Sequence, residues 1–276
     1  MKPVHSTHDG SMQAMLGAVF SHRSLVMQMI KRDVIGRYRG SWLGLAWSFV
    51  NPMIMLVIYT FFFSVIFKAR WGGGGESKGS FAIFLFVGLI LHMVLAECIT
   101  KAPALVTSNV NYVKRVVFPL EILPVISLGS ALFHAAISFV VLFAAQVLLG
   151  YGLPWTAVFL PLTLIPLSLI VLGASWWLAS LGVFVRDMAQ VAIFFTTVML
   201  FLSPVFFPAS AMPEQFRSLL LVNPMTFIIE QSRAVLIEGR MPDFFGLIVM
   251  TWCGLVVAWL GFWWFQKTRK GFADVL

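Results

Sequence analysis

The chain has 276 residues, 60% of them hydrophobic and only 11% charged, with a mean hydropathy of +0.93. Soluble domains average about 45–50% apolar and about 25% charged residues, so 19 basic and 11 acidic side chains cannot clothe a folded body of this length in water. The composition excludes an ordinary soluble domain and points to an integral membrane protein whose net charge of +8 is gathered at the membrane faces.

In chain order, residues 1–40 are polar or amphipathic, without the short apolar region and small-residue cleavage site of a secretion signal. From about Ala14 to Arg39 the apolar positions Leu16, Phe20, Met27, Ile30 and Val34 recur at near-helical spacing between basic residues, which predicts a helix lying in the membrane interface. Six apolar blocks follow, each long enough, at about 20 residues, to cross about 30 Å of hydrocarbon as a helix, the third and fourth exceeding that length. They run from Trp42 to Phe67, Phe81 to Ile99, Phe118 to Leu149, Trp155 to Val185, Val191 to Phe207 and Phe244 to Phe265. Pro124, Pro161 and Pro166 mark starts or kinks within the longer blocks. The expected organisation is one transmembrane domain over residues 1–276, with an interfacial helix over 14–40, a six-span region over 42–265 and a cytoplasmic tail over 266–276.

With six spans both termini share one face. Placing that face in the cytoplasm puts 13 of the 19 basic residues inside and six outside, in agreement with the positive-inside rule. Basic residues cluster only beside the membrane, so nucleic acid is an unsuitable partner and anionic lipid a suitable one.

Several segments between the spans are distinctive. The Gly72–Gly75 run is a short outside loop and no P-loop, since no Lys-Ser or Lys-Thr pair follows it. In Lys101–Glu121, Thr107 or Ser108 caps a short helix through Lys114–Val117 that Pro119 stops. Glu121 is placed to pair with Lys101 or Arg115, and Arg186 with Asp187 forms a tight turn. Between spans five and six, Pro213–Val222 and Pro224–Ile237 each begin with a helix-starting proline. Both are too short to span, as re-entrant or interfacial helices are. Glu214 with Arg217, and Glu230 with Arg233, are spaced to pair on one helix face.

Chemistry is sparse. Glu97 is the one acid well inside a predicted span, so there is no midplane chain of acids for ion coupling. There is no HExxH, GxSxG or aspartate pair, and His92 and His134 lack ligand-spaced partners. Cys98 and Cys253 lie in apolar blocks and read as small buried hydrophobes. Trp42, Tyr59, Trp176 and Trp177 are candidate channel aromatics, since aromatic faces stack on sugar rings; packing against lipid is the commoner fate of such residues. Arg37 and Arg39, with Lys114 and Arg115, are candidates for attracting a lipid pyrophosphate, set against a simple role in orientation.

Five segments in order resemble one family. RDVIGRYRGSWLGLAWSFVNPMIMLVIYTFFFSVIF (Arg32–Phe67), NVNYVKRVVFPLEILP (Asn109–Pro124), FVRDMAQV (Phe184–Val191), SPVFFPASAMPEQFRSLLLVNPMTFIIEQSRAVLIEG (Ser203–Gly239) and the closing KGFADVL resemble the membrane permeases of bacterial ABC-2-type polysaccharide exporters, which serve O-antigen, capsule and teichoic acid. The resemblance implies an all-α, six-span fold with an N-terminal interfacial helix and two short re-entrant helices before the last span. It implies a homodimer in the bacterial inner membrane, bound to two copies of a separate nucleotide-binding subunit that holds ATP and Mg; this chain would carry no cofactor, metal or catalytic residue. The substrate would be a lipid-linked polysaccharide, O-antigen first among them, drawn along the dimer axis. The alternatives are a permease for a drug or lipo-oligosaccharide, or a membrane glycosyltransferase or polymerase. By the same resemblance Arg32, Asp33, Asn109, Asn111, Tyr112, Lys114, Arg115, Phe118, Pro119, Arg186 and Asp187 would face the ATPase. Pro213, Asn223, Pro224, Glu230 and Arg233 would belong to the outer gate. His92 departs from the family, standing where relatives commonly carry tryptophan.

Overall fold

The computed structural model describes residues 10–66, 80–110, 118–209, 212 and 214–276. All regular elements among them are helical. Helix α1 (Met12–Ser21) starts where Ser11 accepts a hydrogen bond from the Ala14 amide at 3.1 Å, and α2 (Arg23–Arg37) follows it. The single interfacial helix expected over 14–40 is therefore two. His22 breaks it, with φ −103° and ψ 15°, its ring nitrogen Nδ1 2.9 Å from the Ala18 carbonyl.

Helix α3 (Trp47–Tyr59) is preceded by a 3-10 turn at Gly44–Ala46 and continues as a π-helical stretch at Thr60–Ile66. The Thr60 hydroxyl donates back to the Leu56 carbonyl at 2.7 Å, a competitor to regular α hydrogen bonding. Then come α4 (Ser80–Lys101), α5 (Leu123–Leu148), α6 (Leu160–Phe184) and α7 (Met188–Leu202). After the short α8 (Arg217–Val222) and α9 (Pro224–Leu236), α10 (Phe244–Thr268) leads through a 3-10 turn at Arg269–Gly271 into α11 (Phe272–Val275). Pro124 and Pro161 sit in the first turns of α5 and α6, where a missing amide leaves no bond unmade, whereas Pro166 lies inside α6.

Among the described residues five helical stretches are long and apolar enough to cross a membrane: Gly44–Phe63, Phe81–Ala104, Leu120–Leu148, Trp155–Phe184 and Phe244–Gly271. These match five of the six blocks. The fifth block, Val191–Phe207, holds only the 15-residue α7, because Pro204 cannot continue a helix and Ser203 already takes extended dihedrals. At 1.5 Å per residue α7 is about 22 Å long, against about 33 Å for α4.

Helix α4 is the centre of the bundle, with 83% of its most apolar window buried; α3 lies outermost with 11%. Helices α6 and α10 run parallel. Phe159 meets Phe244 at one end, Trp176 meets Phe262 midway, and the Ser180 and Thr268 hydroxyls bond at 2.7 Å at the other. The end of the bundle holding α2, the start of α5 and the end of α10 is called proximal here, the opposite end distal. Residues 266–276, expected as a tail, are helical and packed: the fully buried Phe272 lies edge-on to Phe265.

Candidate coupling and gate sites

The proximal end gathers the charged residues. Glu97, near the end of α4, accepts from Arg37 Nη1 on α2 at 2.6 Å and from Lys101 Nζ, one turn along α4, at 2.9 Å. Its second oxygen lies 3.2 Å from His134 Nδ1 on α5, which is also 3.2 Å from Arg37 Nη1. Lys101 Nζ is 3.8 Å from Asp33 Oδ2. Tyr38 lies edge-on to the His134 ring, and burial raises its phenol above the ordinary value against the opposing pull of Arg37.

Beside this network Arg32, Asp33, Lys101 and Asn109 line a cleft of about 100 Å³ that reaches the buried Ser127. Three expected ATPase-facing residues, Arg32, Asp33 and Asn109, therefore share one cleft. Arg186 lines a second of about 370 Å³ with Pro103, Thr107, Gly182 and Leu276. The 102–109 segment forms the wall between the two clefts. Asp187 is exposed in the turn before α7, where its carbonyl accepts from the Gln190 and Val191 amides. Asn109 donates to the Leu105 carbonyl at 2.9 Å. The Thr107 hydroxyl donates backward to the Ala104 carbonyl at 3.3 Å in a short 3-10 turn, and the short helix expected through Lys114–Val117 lies outside the described residues. Asn111, Tyr112, Lys114 and Arg115 lie outside the described residues.

Glu121 does not pair with Lys101, and Arg115, its other expected partner, lies outside the described residues. Glu121 accepts from Arg269 Nη1 at 2.6 Å, and Arg269 Nη2 donates to the Phe118 carbonyl at 3.1 Å. Lys101 is engaged by Glu97, and Arg269, some 150 positions along the chain, is brought in by α10. Pro119, extended at ψ 90°, precedes the 3-10 turn Leu120–Ile122 that opens α5. Of the remaining candidates, Arg39 is exposed, Trp42 stands 96% exposed, and Tyr59 is half-buried beside Phe63. Trp176 is buried, edge-on to Phe262, and donates to the Glu121 carbonyl at 2.9 Å, whereas Trp177 stacks on Trp264 at 4.9 Å.

The distal end is built around α9. Asn223 caps it, accepting from the Met225 amide at 2.9 Å, and Pro224 fills its first position. The Asn223 amide group also donates to the Leu202 carbonyl and the Ser203 hydroxyl, fastening α9 to the end of α7. Arg233, 1% exposed, donates to the carbonyls of Phe84 (3.0 Å), Pro204 (2.7 Å) and Val205 (3.1 Å). Its expected partner Glu230 is half-buried and lies 3.5 Å away. Gly88 makes room for this: a Cβ there would lie 3.1 Å from Arg233 Nη2 and 3.2 Å from Val205 Cα. Gln146 and Thr156 donate to the Leu236 and Val235 carbonyls, and Thr163 bonds Ser232. Pro213 and the Arg217 side chain lie outside the described residues. His92 is buried on α4 with Nδ1 unpartnered among the described residues.

A charged proximal end and a buried α9 at the distal end stand on a bundle of long apolar helices. The model of the ABC-2 type transporter family matches residues 24–237. The chain belongs to that family. Its similar proteins include the O-antigen export system permease protein RfbA of Myxococcus xanthus, 26% identical over 93% of this chain and 96% of the relative. A protein of the same description from Klebsiella pneumoniae is 24% identical over 95% and 97%. The polysialic acid transport protein KpsM of Escherichia coli is 25% identical over 86% and 90%.

The proximal network is where sequence reading fell short. Glu97 stood out as a lone acid in a span, and its spacing to Lys101 was legible. Nothing in the sequence placed Arg37 and His134 on the same carboxylate, since those contacts cross 60 and 37 positions.

Proposed function

We propose that this chain is the channel-forming permease subunit of an ATP-driven exporter that moves a lipid-linked polysaccharide, O-antigen first among them, from the cytoplasm to the periplasm. The observation that carries this reading is the similarity, along nearly the full length of both partners, to permeases named for O-antigen export. Two copies would line the path, and the outermost helix α3 leaves a broad apolar face for a second copy or lipid. The proximal end would be cytoplasmic, since the basic residues collect there, and its two clefts would receive a separate ATPase subunit that binds ATP and Mg. With α7 as a short crossing the spans number six, and α8 and α9 form the re-entrant closure at the outer mouth. Arg37 and Arg39 would draw the pyrophosphate toward the entrance.

Purification from the native membrane tests this directly: an ATPase with its own nucleotide-binding motif is expected to accompany the chain. Deletion of the gene is expected to trap lipid-linked polymer in the cytoplasm. Normal surface polysaccharide after deletion would overturn the assignment, and export of a drug or lipo-oligosaccharide by the purified complex would replace its substrate.

A further inference from the structure

The charges between α2 and α4 alternate in sign along both helices. Asp33 and Arg37 stand one turn apart on α2, Glu97 and Lys101 one turn apart on α4. Lys101 faces Asp33 at 3.8 Å and Arg37 faces Glu97 at 2.6 Å, so the two helices meet as an antiparallel ladder, minus against plus and plus against minus. Glu97 also carries the ladder to α5 through His134. On the α5 side Ile30 of α2 lies directly over Gly129, where a Cβ would overlap the isoleucine side chain.

We propose that this ladder is a register lock by which α2 moves α4 and α5 with it, and that Glu97 is its central positioning residue. The proposal rests on the reading above, in which α2 borders the ATPase. Helices that ratchet past one another settle one turn away, about 5.4 Å along the axis. Here a one-turn slide of α2 in one direction sets Asp33 against Glu97. In the other it sets Arg37 against Lys101. Either slide brings like charges together, with Glu97 largely buried and the other three side chains partly exposed. Displacement of α2 is therefore passed to the buried central helix α4. An all-plus α2 against an all-minus α4 would attract as strongly and would slip.

The test uses the full permease–ATPase complex in lipid and reads two quantities, ATP hydrolysis and polymer exported per ATP hydrolysed. Glu97→Gln, nearly isosteric, is expected to leave hydrolysis in place and to lower export per ATP by about tenfold. The exchange Glu97→Arg with Arg37→Glu makes α2 all minus and α4 all plus, and is expected to stay as low; inverting all four charges, with Asp33→Lys and Lys101→Glu added, restores the alternation and is expected to bring export per ATP back to within about threefold. Rescue by inversion separates the lock from headgroup attraction, which an acid at position 37 would abolish. Full export per ATP in Glu97→Gln, or no gain from the fourfold inversion with the complex intact, overturns the lock. Should the inverted variant fail to assemble, Glu97→Gln decides alone. If the wild-type chain binds no ATPase and exports nothing, the functional reading has failed instead, a result distinct from either.

Discussion

Arg233 carries a charge in a place with almost no water. Its guanidinium is satisfied by three main-chain carbonyls, two of them just past the C-terminal end of α7, where the helix dipole is negative. The half-buried Glu230, at 3.5 Å, is a secondary partner. Replacing Arg233 by methionine keeps the bulk and removes the donors of all three carbonyls, each worth about 1–3 kcal/mol when left unsatisfied and buried. Thermal unfolding of the purified protein in detergent should show Arg233→Met destabilised by roughly 3 kcal/mol or more. Glu230→Gln should stay within about 1 kcal/mol, as a partly exposed pair does. Equal losses in both variants would show that the ion pair, and not the carbonyl cradle, holds α9. Gly88 belongs to the same cradle. With its Cβ 3.1 Å from Arg233 Nη2 and 3.2 Å from Val205 Cα, Gly88→Ala should lower stability by about 1–3 kcal/mol in the same assay, as overpacking does.

Between elements, close approach is set by glycine in some places and irrelevant to it in others. Helices α6 and α10 touch backbone to backbone. A Cβ on Gly261 would overlap the Gly173 carbonyl, and one on Gly173 would overlap the Val257 carbonyl. Gly261→Val must push the two helices apart and should abolish folded protein as seen by size-exclusion chromatography. Gly17→Ala in α1 meets nothing within 4 Å and should be neutral or stabilising by up to about 1 kcal/mol, through better helix propensity alone. This contrast explains how much of the fold was legible in the sequence. Unbroken apolar runs announce spans, and prolines announce starts, so five blocks came out within a few residues of the helices. Pro204 was equally legible as a stop, but the apolar run to Phe207 obscured it. The break at His22 has no such signal, because histidine neither forbids helix nor requires φ above zero. At the sites, i,i+4 and i,i+3 pairs were visible, whereas Arg269 on Glu121 and Arg233 on three carbonyls depend on tertiary placement.

The path of the whole chain turns on α7. Helices α6 and α10 both run from the distal to the proximal end, so residues 185–243 must return the chain to the distal end between them. Helix α7 makes that return, leaving the turn at Arg186 and reaching Val205 beside Gly88. Gly88 lies eight residues inside α4, about 12 Å below its first residue, so α7 stops short of the distal surface. The depth left over is filled by α9, whose buried face is fastened to α4, α5, α6 and the end of α7. On the topology proposed above, a short crossing by α7 completed by the buried α9 places Arg186 and Arg240 on opposite sides of the membrane. Single cysteines at those two positions, in a chain with Cys98 and Cys253 replaced by alanine, make this measurable with a membrane-impermeant maleimide. On intact spheroplasts Arg240→Cys should label at once and Arg186→Cys only after the membrane is opened. Labelling of both from one side would mean that α7 enters and leaves by the same face, which the parallel course of α6 and α10 forbids.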